Sequence, residues 1–84
     1  MFYVYILLSE KDGNFYIGMT GDLKRRIGEH KAGKVKSTKH RKPIELICYE
    51  AYTEKKDAQR REKFLKSSDG KKDIRIRLKN LLEK

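Results

Sequence analysis

The chain has very little of what several common classes of small protein require. Its 84 residues include one cysteine, one proline and no tryptophan, and no apolar run approaches the roughly 18 residues of a membrane span. The single Cys48 excludes an internal disulfide framework and the paired cysteines of zinc fingers, and we expect it to be buried in a strand. The apolar stretch at 2–8 lacks the flanks of a signal peptide, so a cytoplasmic location is expected.

Charge is what the chain has in excess. It carries 22 Lys and Arg against 12 Asp and Glu, a net charge of +10, while 37% of its residues are hydrophobic. A chain this short indicates one domain over residues 1–84, with a small core and any active site shallow. The positive field favours a polyanionic partner, most simply nucleic acid, over a merely solvated surface. A membrane-surface peptide is disfavoured because the basic residues do not share one long amphipathic helix.

The basic residues concentrate in residues 24–42, where Glu29 is the only acidic residue. Charge clustered in this way is typical of a segment that follows a phosphate backbone. The candidate nucleic-acid-binding residues are therefore those of this segment: Lys24, Arg25, Lys31, Lys34, Lys36, Lys39, Arg41 and Lys42.

The first half of the chain predicts a hairpin followed by a helix. Residues 2–8 form an unbroken aromatic and branched run that is typical of a central strand covered on both faces. Turn residues at 9–14 separate it from a second strand at 15–19, so an antiparallel hairpin with a loop longer than two residues is expected. Asp22 is the predicted N-cap of a helix that continues to about Lys31.

The second half predicts one more strand and two more helices. A basic surface loop at 34–42 precedes a strand at 44–50, and Thr53 is the predicted cap of a helix from 54 to about 66. Residues 67–70 should break that helix before a third one, indicated by apolar residues at helical spacing from 74 to 82. The resulting order, β-β-α-β-α-α, predicts a small α+β fold with a three-stranded antiparallel sheet flanked by helices.

Two of these helices carry charge on the face that should be apolar. A helical wheel groups Arg26 and His30 with Leu23 and Ile27, and it places Glu62 among the apolar positions of the second helix. An ionised side chain facing a core costs several kcal/mol unless it is paired or solvated. Arg26 and Glu62 could therefore form an ion pair with each other, extend to water, or line an active-site hollow. His30 could equally be a hydrogen-bonded core histidine.

Two tyrosines make the third interpretation chemically coherent. If Tyr5 and Tyr16 lie on adjacent strands and face the helices, one cleft holds two phenols with Arg26, His30 and Glu62. A carboxylate suits a hard divalent cation, an arginine binds the phosphate oxygens, and a phenol or imidazole accepts a proton from water. This set is typical of a phosphodiesterase.

The same residues resemble the GIY-YIG nuclease family, in particular its short single-domain members. Tyr16-Ile17-Gly18 matches the second signature element, and Tyr3-Val4-Tyr5 stands at the first, with Tyr3 in place of its leading glycine. Arg26, His30 and Glu62 follow at the family's spacing. The resemblance implies hydrolysis of a DNA phosphodiester, in DNA repair or recombination, with one Mg²⁺ or Mn²⁺ ion.

The resemblance also implies roles for individual residues. Glu62 holds the metal, Arg26 stabilises the phosphoryl transition state, and Tyr5 acts as general base or positions the attacking water. Tyr16 helps to orient that water, His30 supports proton transfer, and Gly18 permits close approach of the backbone. Because the helical wheel and the resemblance both place Arg26, His30 and Glu62 inward, the active-site interpretation is favoured over side chains that extend to water.

The sequence-based hypothesis is thus a metal-dependent endonuclease of low sequence selectivity or of structure-based selectivity. Larger relatives attach a recognition domain for which residues 1–84 leave no room, so a protein partner that supplies selectivity is a further expectation. The alternative is a catalytically inactive nucleic-acid-binding module, or a partner subunit of a larger nuclease, that uses the basic segment alone.

Overall fold

A computed structural model describes all residues from 1 to 84. The elements are β1 (Phe2–Ser9), β2 (Phe15–Thr20), α1 (Leu23–Lys31), β3 (Ile44–Tyr52), α2 (Lys55–Leu65), α3 (Ser68–Arg77) and α4 (Lys79–Leu82). The predicted order is confirmed, with two differences: α3 already begins at Ser68, inside the segment 67–70 that was expected to separate the helices, and it is interrupted at Leu78, so a four-residue α4 follows it. None of the four helices has the length and apolar character that a membrane span requires.

The sheet has the order β2-β1-β3, and both pairings are antiparallel. The prediction that the first strand is central is confirmed, and its four residues from Val4 to Leu7 are buried. A run of aromatic and aliphatic side chains suits this position because both faces of a central strand are covered. The hairpin loop spans residues 10–14, longer than two residues as expected.

The two faces of β1 pack against different helices. Val4 and Ile6 belong to the larger core cluster, which Ala58, Leu65 and Ile74 complete from α2 and α3. Tyr5 and Leu7 point to the opposite face and pack with Ile27 of α1. Side-chain alternation along β1 therefore leaves one face to α2 and α3, and the face that carries Tyr5 to α1.

A β-bulge changes the register between β1 and β3. Ile6 is paired with Cys48 while the next residue, Leu7, is paired with Leu46, so Ile47 is an extra residue on β3. A bulge of this kind reverses the facing of the residues beyond it. Leu46 and Tyr49, three positions apart, therefore both lie on the α1 face. Cys48 on the other face is half-buried, so the prediction of full burial is wrong.

Side-chain capping sets the start of α1 as predicted, but it does not set the start of α2. The side chain of Asp22 accepts a hydrogen bond from the backbone N–H of Arg25. At α2 the N-cap is Glu54, not Thr53, and no side chain caps it; the Thr53 hydroxyl lies 3.8 Å from the sulfur of Met1 instead. Ser67, expected only to end α2, also caps α3 by accepting from the Gly70 N–H at 3.1 Å.

An ion network explains one of the charged positions on α2. Arg61 donates to Glu50 of β3 at 2.9 Å and to Asp73 of α3 at 3.3 Å, and Asp73 also pairs with Arg77. Although burial acts to raise the pKa of Glu50, hydrogen bonds from Arg61 and Tyr52 hold it below its usual range. Arg61 therefore ties strand to helices, which gives a structural reason for its inward position.

The segment between α1 and β3 is more than the surface loop that its lysines predict. Gly33 turns the chain at a φ of 76°, after which Val35 and Thr38 are buried. Both are neutral residues within the basic run, and the segment folds back so that their side chains are covered. The Ser9 hydroxyl donates to the carbonyl of Arg41 at 2.6 Å, so the far end of the segment is fastened to β1.

Candidate active site

Tyr5 and Tyr16 face the same side of the sheet, the side that α1 covers. Tyr5 of β1 is paired with Gly18 of β2, and Tyr16 is paired with Leu7, two residues along the same face. Tyr5 is 1% exposed, whereas Tyr16 is half-buried. One phenol is therefore enclosed while the other reaches the surface.

The ring of Tyr5 lies directly over Gly18. A Cβ atom added at Gly18 would stand 2.3 Å from the Tyr5 hydroxyl oxygen and 2.4 Å from Cζ, closer than any real contact. The close approach expected at this glycine is therefore made by the tyrosine ring. The absence of a side chain at position 18 fixes where the Tyr5 hydroxyl lies.

His30 is fully buried beside that hydroxyl. Its Nε2 lies 2.9 Å from the Tyr5 oxygen, and its Nδ1 lies 2.7 Å from the Thr38 hydroxyl. The Tyr16 ring meets it edge-on at a centroid distance of 5.2 Å. Burial, together with the positive charge of Arg26, lowers the pKa of His30 below 6.5, so the imidazole is neutral at neutral pH.

Arg26 flanks the same hydroxyl from α1. Its interaction with the Tyr5 side chain and its hydrogen bond to Glu29, at 3.1 Å, raise the pKa of this guanidinium. Glu29, whose side chain is 30% exposed, pairs with both Arg25 and Arg26. The guanidinium is thus oriented by a neighbour one turn along the helix.

The direction of the hydrogen bonds follows from what each group can offer. Arg26 can only donate, so it favours the Tyr5 oxygen as acceptor, and the Tyr5 proton then points to His30 Nε2. The remaining imidazole proton lies on Nδ1 and is donated to Thr38. Burial raises the pKa of Tyr5, against the opposing effect of Arg26, so the phenol keeps its proton at neutral pH.

Glu62 lies near this cluster without touching it. It belongs to α2, and its ion-pair partner is Lys66 at 3.2 Å, with 24% of the Glu62 side chain exposed. The predicted alternative of an ion pair between Arg26 and Glu62 is therefore wrong. The Glu62 charge nevertheless contributes to raising the pKa of Tyr5, which puts the carboxylate within electrostatic range of the hydroxyl.

The cluster opens into a groove of about 570 Å³ that the basic segment borders. Tyr16 and Arg26 form one wall, and residues 34–37, which include Lys34 and Lys36, form the other. Lys39 and Lys42 are exposed farther along the segment. The Arg41 guanidinium instead lies 3.3 Å from both the Asp12 carboxylate and the carbonyl of Phe15, so it fastens the segment to the hairpin.

Thr38 is the residue that sequence reasoning missed. It is fully buried and is the partner of His30 Nδ1, yet it stands in a run that reads as a solvated basic loop. The available signal was the occurrence of neutral Val35 and Thr38 among lysines, three positions apart as on a turn of helix. His40 is exposed.

Comparison with known proteins identifies the family of this chain. The model of the GIY-YIG catalytic domain matches residues 1–75. The chain belongs to the GIY-YIG family. Its resemblance in sequence is therefore confirmed, and the sheet flanked by helices is the fold that the resemblance implied.

Individual relatives extend the comparison. A UPF0213 protein of Staphylococcus haemolyticus is 37% identical over 88% of this chain and 90% of its own length. Those of Lacticaseibacillus paracasei and Streptococcus pneumoniae are 45% and 40% identical, but the match spans only 64% and 65% of their lengths. The solution structure of a UPF0213 protein from Bacillus halodurans is 41% identical and covers 88% of this chain and 82% of its own, with a TM-score of 0.55.

Proposed function

We propose that this GIY-YIG domain is a divalent-metal-dependent endonuclease that hydrolyses DNA phosphodiester bonds with little sequence selectivity. The observation that carries the proposal is a buried series of hydrogen bonds that runs from Thr38 through His30 to the Tyr5 hydroxyl, which Arg26 flanks. Arg26 and Tyr16, which adjoin these hydrogen bonds, also line a groove bordered by Lys34 and Lys36. A polar network of this kind holds a proton acceptor in one orientation beside a positively charged groove.

Arg26 is the proposed electrophilic group. It is 36% exposed and lines the groove, and its hydrogen bond to Glu29 uses one terminal nitrogen. The N–H groups that neither Glu29 nor Tyr5 engages can bind phosphate oxygens, on which negative charge accumulates in the transition state. Glu29 is then a positioning residue that holds the guanidinium in place.

Tyr5 and His30 are proposed to remove the proton of the attacking water together. Because the pKa of Tyr5 is raised, its phenolate is not the resting base. The Tyr5 oxygen would accept a proton from water while the Tyr5 proton moves to Nε2 of His30, which begins neutral. Thr38 keeps the imidazole in the tautomer that leaves Nε2 free to accept. Tyr16, which is half-buried and lines the groove, would orient the water.

The donor set near Tyr5 fits a sparsely coordinated Mg²⁺ ion. No three His, Cys, Asp or Glu side chains converge in this structure, and Glu62 has one ion-pair partner, Lys66. Mg²⁺ retains several waters and is held through one or two carboxylates, so Glu62 alone suffices as its protein ligand. When bound there, the ion would supply charge neutralisation for the phosphate and acidify a water.

Cleavage of a panel of labelled nucleic acids tests the proposal. Duplex, single-stranded and branched DNA, with RNA counterparts, would be incubated with Mg²⁺, Mn²⁺ or EDTA. We expect metal-dependent cleavage by the wild type and none by Glu62→Gln, with binding retained. Lys66→Gln is the matched control, because it breaks the same ion pair but keeps the carboxylate, and it should cleave.

Three outcomes would contradict the proposal. Glu62→Gln cleaving as fast as the wild type would remove the carboxylate from the reaction. Binding without cleavage on every substrate and metal would instead favour an inactive nucleic-acid-binding module. Cleavage that appears only after a second protein is added would assign the chain as a subunit of a larger nuclease.

A further inference from the structure

A second, larger groove lies on the opposite flank of α1 from the candidate active site. It has a volume of about 780 Å³, within the range of sites that hold small organic groups. Its floor is aromatic and aliphatic, with Tyr3, Tyr49 and Leu46 from the sheet and Leu23 and Ile27 from α1. The proposed mechanism uses none of these side chains.

The aromatic part of this groove is unusually accessible. Tyr49 is 54% exposed and meets the Tyr3 ring edge-on, with centroids 6.1 Å apart and an interplanar angle of 65°. The β-bulge at Ile47 is what brings Tyr49 to this face together with Leu46. An exposed tyrosine ring beside an aliphatic floor is a surface on which a flat aromatic group can stack.

The rim of the groove is positively charged. Lys24 and Lys31 of α1 line it, and neither has an ion-pair partner, whereas Asp22 caps α1 and pairs with Arg25 at 3.7 Å. The groove therefore combines a stacking surface with cations that suit a phosphate. This pairing of features is typical of surfaces that bind single-stranded nucleic acid.

Gly28 keeps the groove open. It lies within α1 and lines the groove, and a Cβ atom added there would meet no atom within 4 Å. Glycine inside a helix costs about 0.5–1 kcal/mol relative to alanine, and no neighbour requires it here. Because position 28 has no side chain, the groove is open beside Ile27 and Leu23.

From these observations we propose that this groove binds an unpaired nucleobase of the nucleic-acid substrate, stacked on Tyr49 with its phosphate near Lys24 or Lys31. The inference rests on the proposed function and refines its substrate class. A base inside a duplex is already stacked on its neighbours, so only an unpaired or displaced base can enter. The protein would then favour DNA with a single-stranded segment, such as a branch, flap or bubble.

The position of α1 connects the two sites. Arg26 and His30 point from one flank of the helix to the catalytic cluster, and Lys24, Gly28 and Lys31 point from the other flank to the groove. A helix with its side chains is about 10–12 Å across. A strand that crosses α1 would therefore have its stacked base and its phosphate at Arg26 a few nucleotides apart.

Binding without metal tests the inference separately from cleavage. Fluorescence anisotropy in EDTA would compare a labelled single strand with a closed hairpin duplex for the wild type, Tyr49→Ala and Tyr49→Phe. We expect Tyr49→Ala to lose about 5- to 150-fold in affinity for the single strand, the effect of one stacked base, with little change for the duplex. Tyr49→Phe keeps the ring and should bind like the wild type.

A second variant blocks the groove while leaving both tyrosines in place. A Cβ atom at position 28 meets no neighbour, and leucine favours helix, so Gly28→Leu should fold and should also weaken single-strand binding selectively. Unchanged single-strand affinity in both Tyr49→Ala and Gly28→Leu would overturn the inference, as would equal losses on single strand and duplex. A change in self-association, measured by sedimentation, with no change in DNA affinity would assign the groove to a second copy of the chain and also overturn it.

These results are independent of the cleavage assay. If the wild type never cleaves DNA but Tyr49→Ala selectively loses single-strand affinity, the proposed reaction fails and the base-binding groove stands. If Glu62→Gln abolishes cleavage while Tyr49→Ala binds as the wild type does, the reaction stands and the groove fails.

Discussion

Replacement of Thr38 by valine isolates one hydrogen bond at the centre of the candidate site. Valine matches threonine in shape, so the buried position keeps its packing and loses only the hydroxyl that accepts from His30 Nδ1 at 2.7 Å. The imidazole N–H is then left without a partner at a residue that is 0% exposed. An unsatisfied buried donor costs about 1–3 kcal/mol.

The expected loss is large for a chain of 84 residues. Domains of this size shift in melting temperature by about 4–8 °C per kcal/mol, and they unfold with a total free energy of about 5–15 kcal/mol. Urea and thermal unfolding of Thr38→Val should therefore show a clear decrease in stability. Thr38→Ser is the matched control, because it keeps the hydroxyl and removes one methyl group, worth about 0.8 kcal/mol.

The imidazole tautomer distinguishes the loss of this hydrogen bond from a simple change in packing at position 38. In the wild type and in Thr38→Ser, nitrogen chemical shifts should place the His30 proton on Nδ1; in Thr38→Val we expect it to move to Nε2, with slower DNA cleavage. A wild-type proton on Nε2, or a Thr38→Val protein as stable as the wild type, would refute the assigned direction of the hydrogen bonds.

Three further predictions follow from the same geometry. Because the pKa of His30 is lowered in the folded chain, the unfolded chain binds a proton at this histidine first as the pH falls. The free energy of unfolding should therefore decrease below about pH 6.5. Urea unfolding measured at a series of pH values across that range should detect the decrease. Gly18→Ala would place a Cβ atom 2.3 Å from the Tyr5 oxygen, so it should cost about 1–3 kcal/mol and abolish cleavage; a wild-type melting curve would contradict this. Lys36→Ala, at the mouth of the active-site groove, should reduce the dependence of log affinity on log salt by about 0.9 for duplex DNA, and an unchanged slope would remove Lys36 from the phosphate path.

Much of the fold was accessible from the sequence because its signals are local. The unbroken apolar run of β1 indicated a central strand, and Asp22 indicated the start of α1; both are confirmed. The cap of α2 was placed one residue early, since Thr53 is a better capping residue than Glu54 but the chain enters the helix after it. The bulge at Ile47 leaves no pattern in the sequence because it depends on pairing between distant strands.

The candidate site was predictable to the extent that it depends on strand alternation and helical spacing. Those periods bring Tyr5, Tyr16, Arg26 and His30 together on one face of the sheet. Thr38 was not accessible in this way, since its position depends on how an irregular segment folds back over His30. The partners of the charged residues were equally inaccessible, because they depend on side-chain conformations.

The hydroxyl of Tyr5 is the atom on which the proposed reaction depends, and Tyr5→Phe removes only that atom. The ring still packs over Gly18, so the fold and DNA binding should persist. The decisive measurement is the single-turnover rate at which the wild type and Tyr5→Phe cleave one labelled branched DNA with Mg²⁺. We predict that Tyr5→Phe is slower by about 10²- to 10⁴-fold at unchanged affinity. Equal rates for the two proteins would contradict the account.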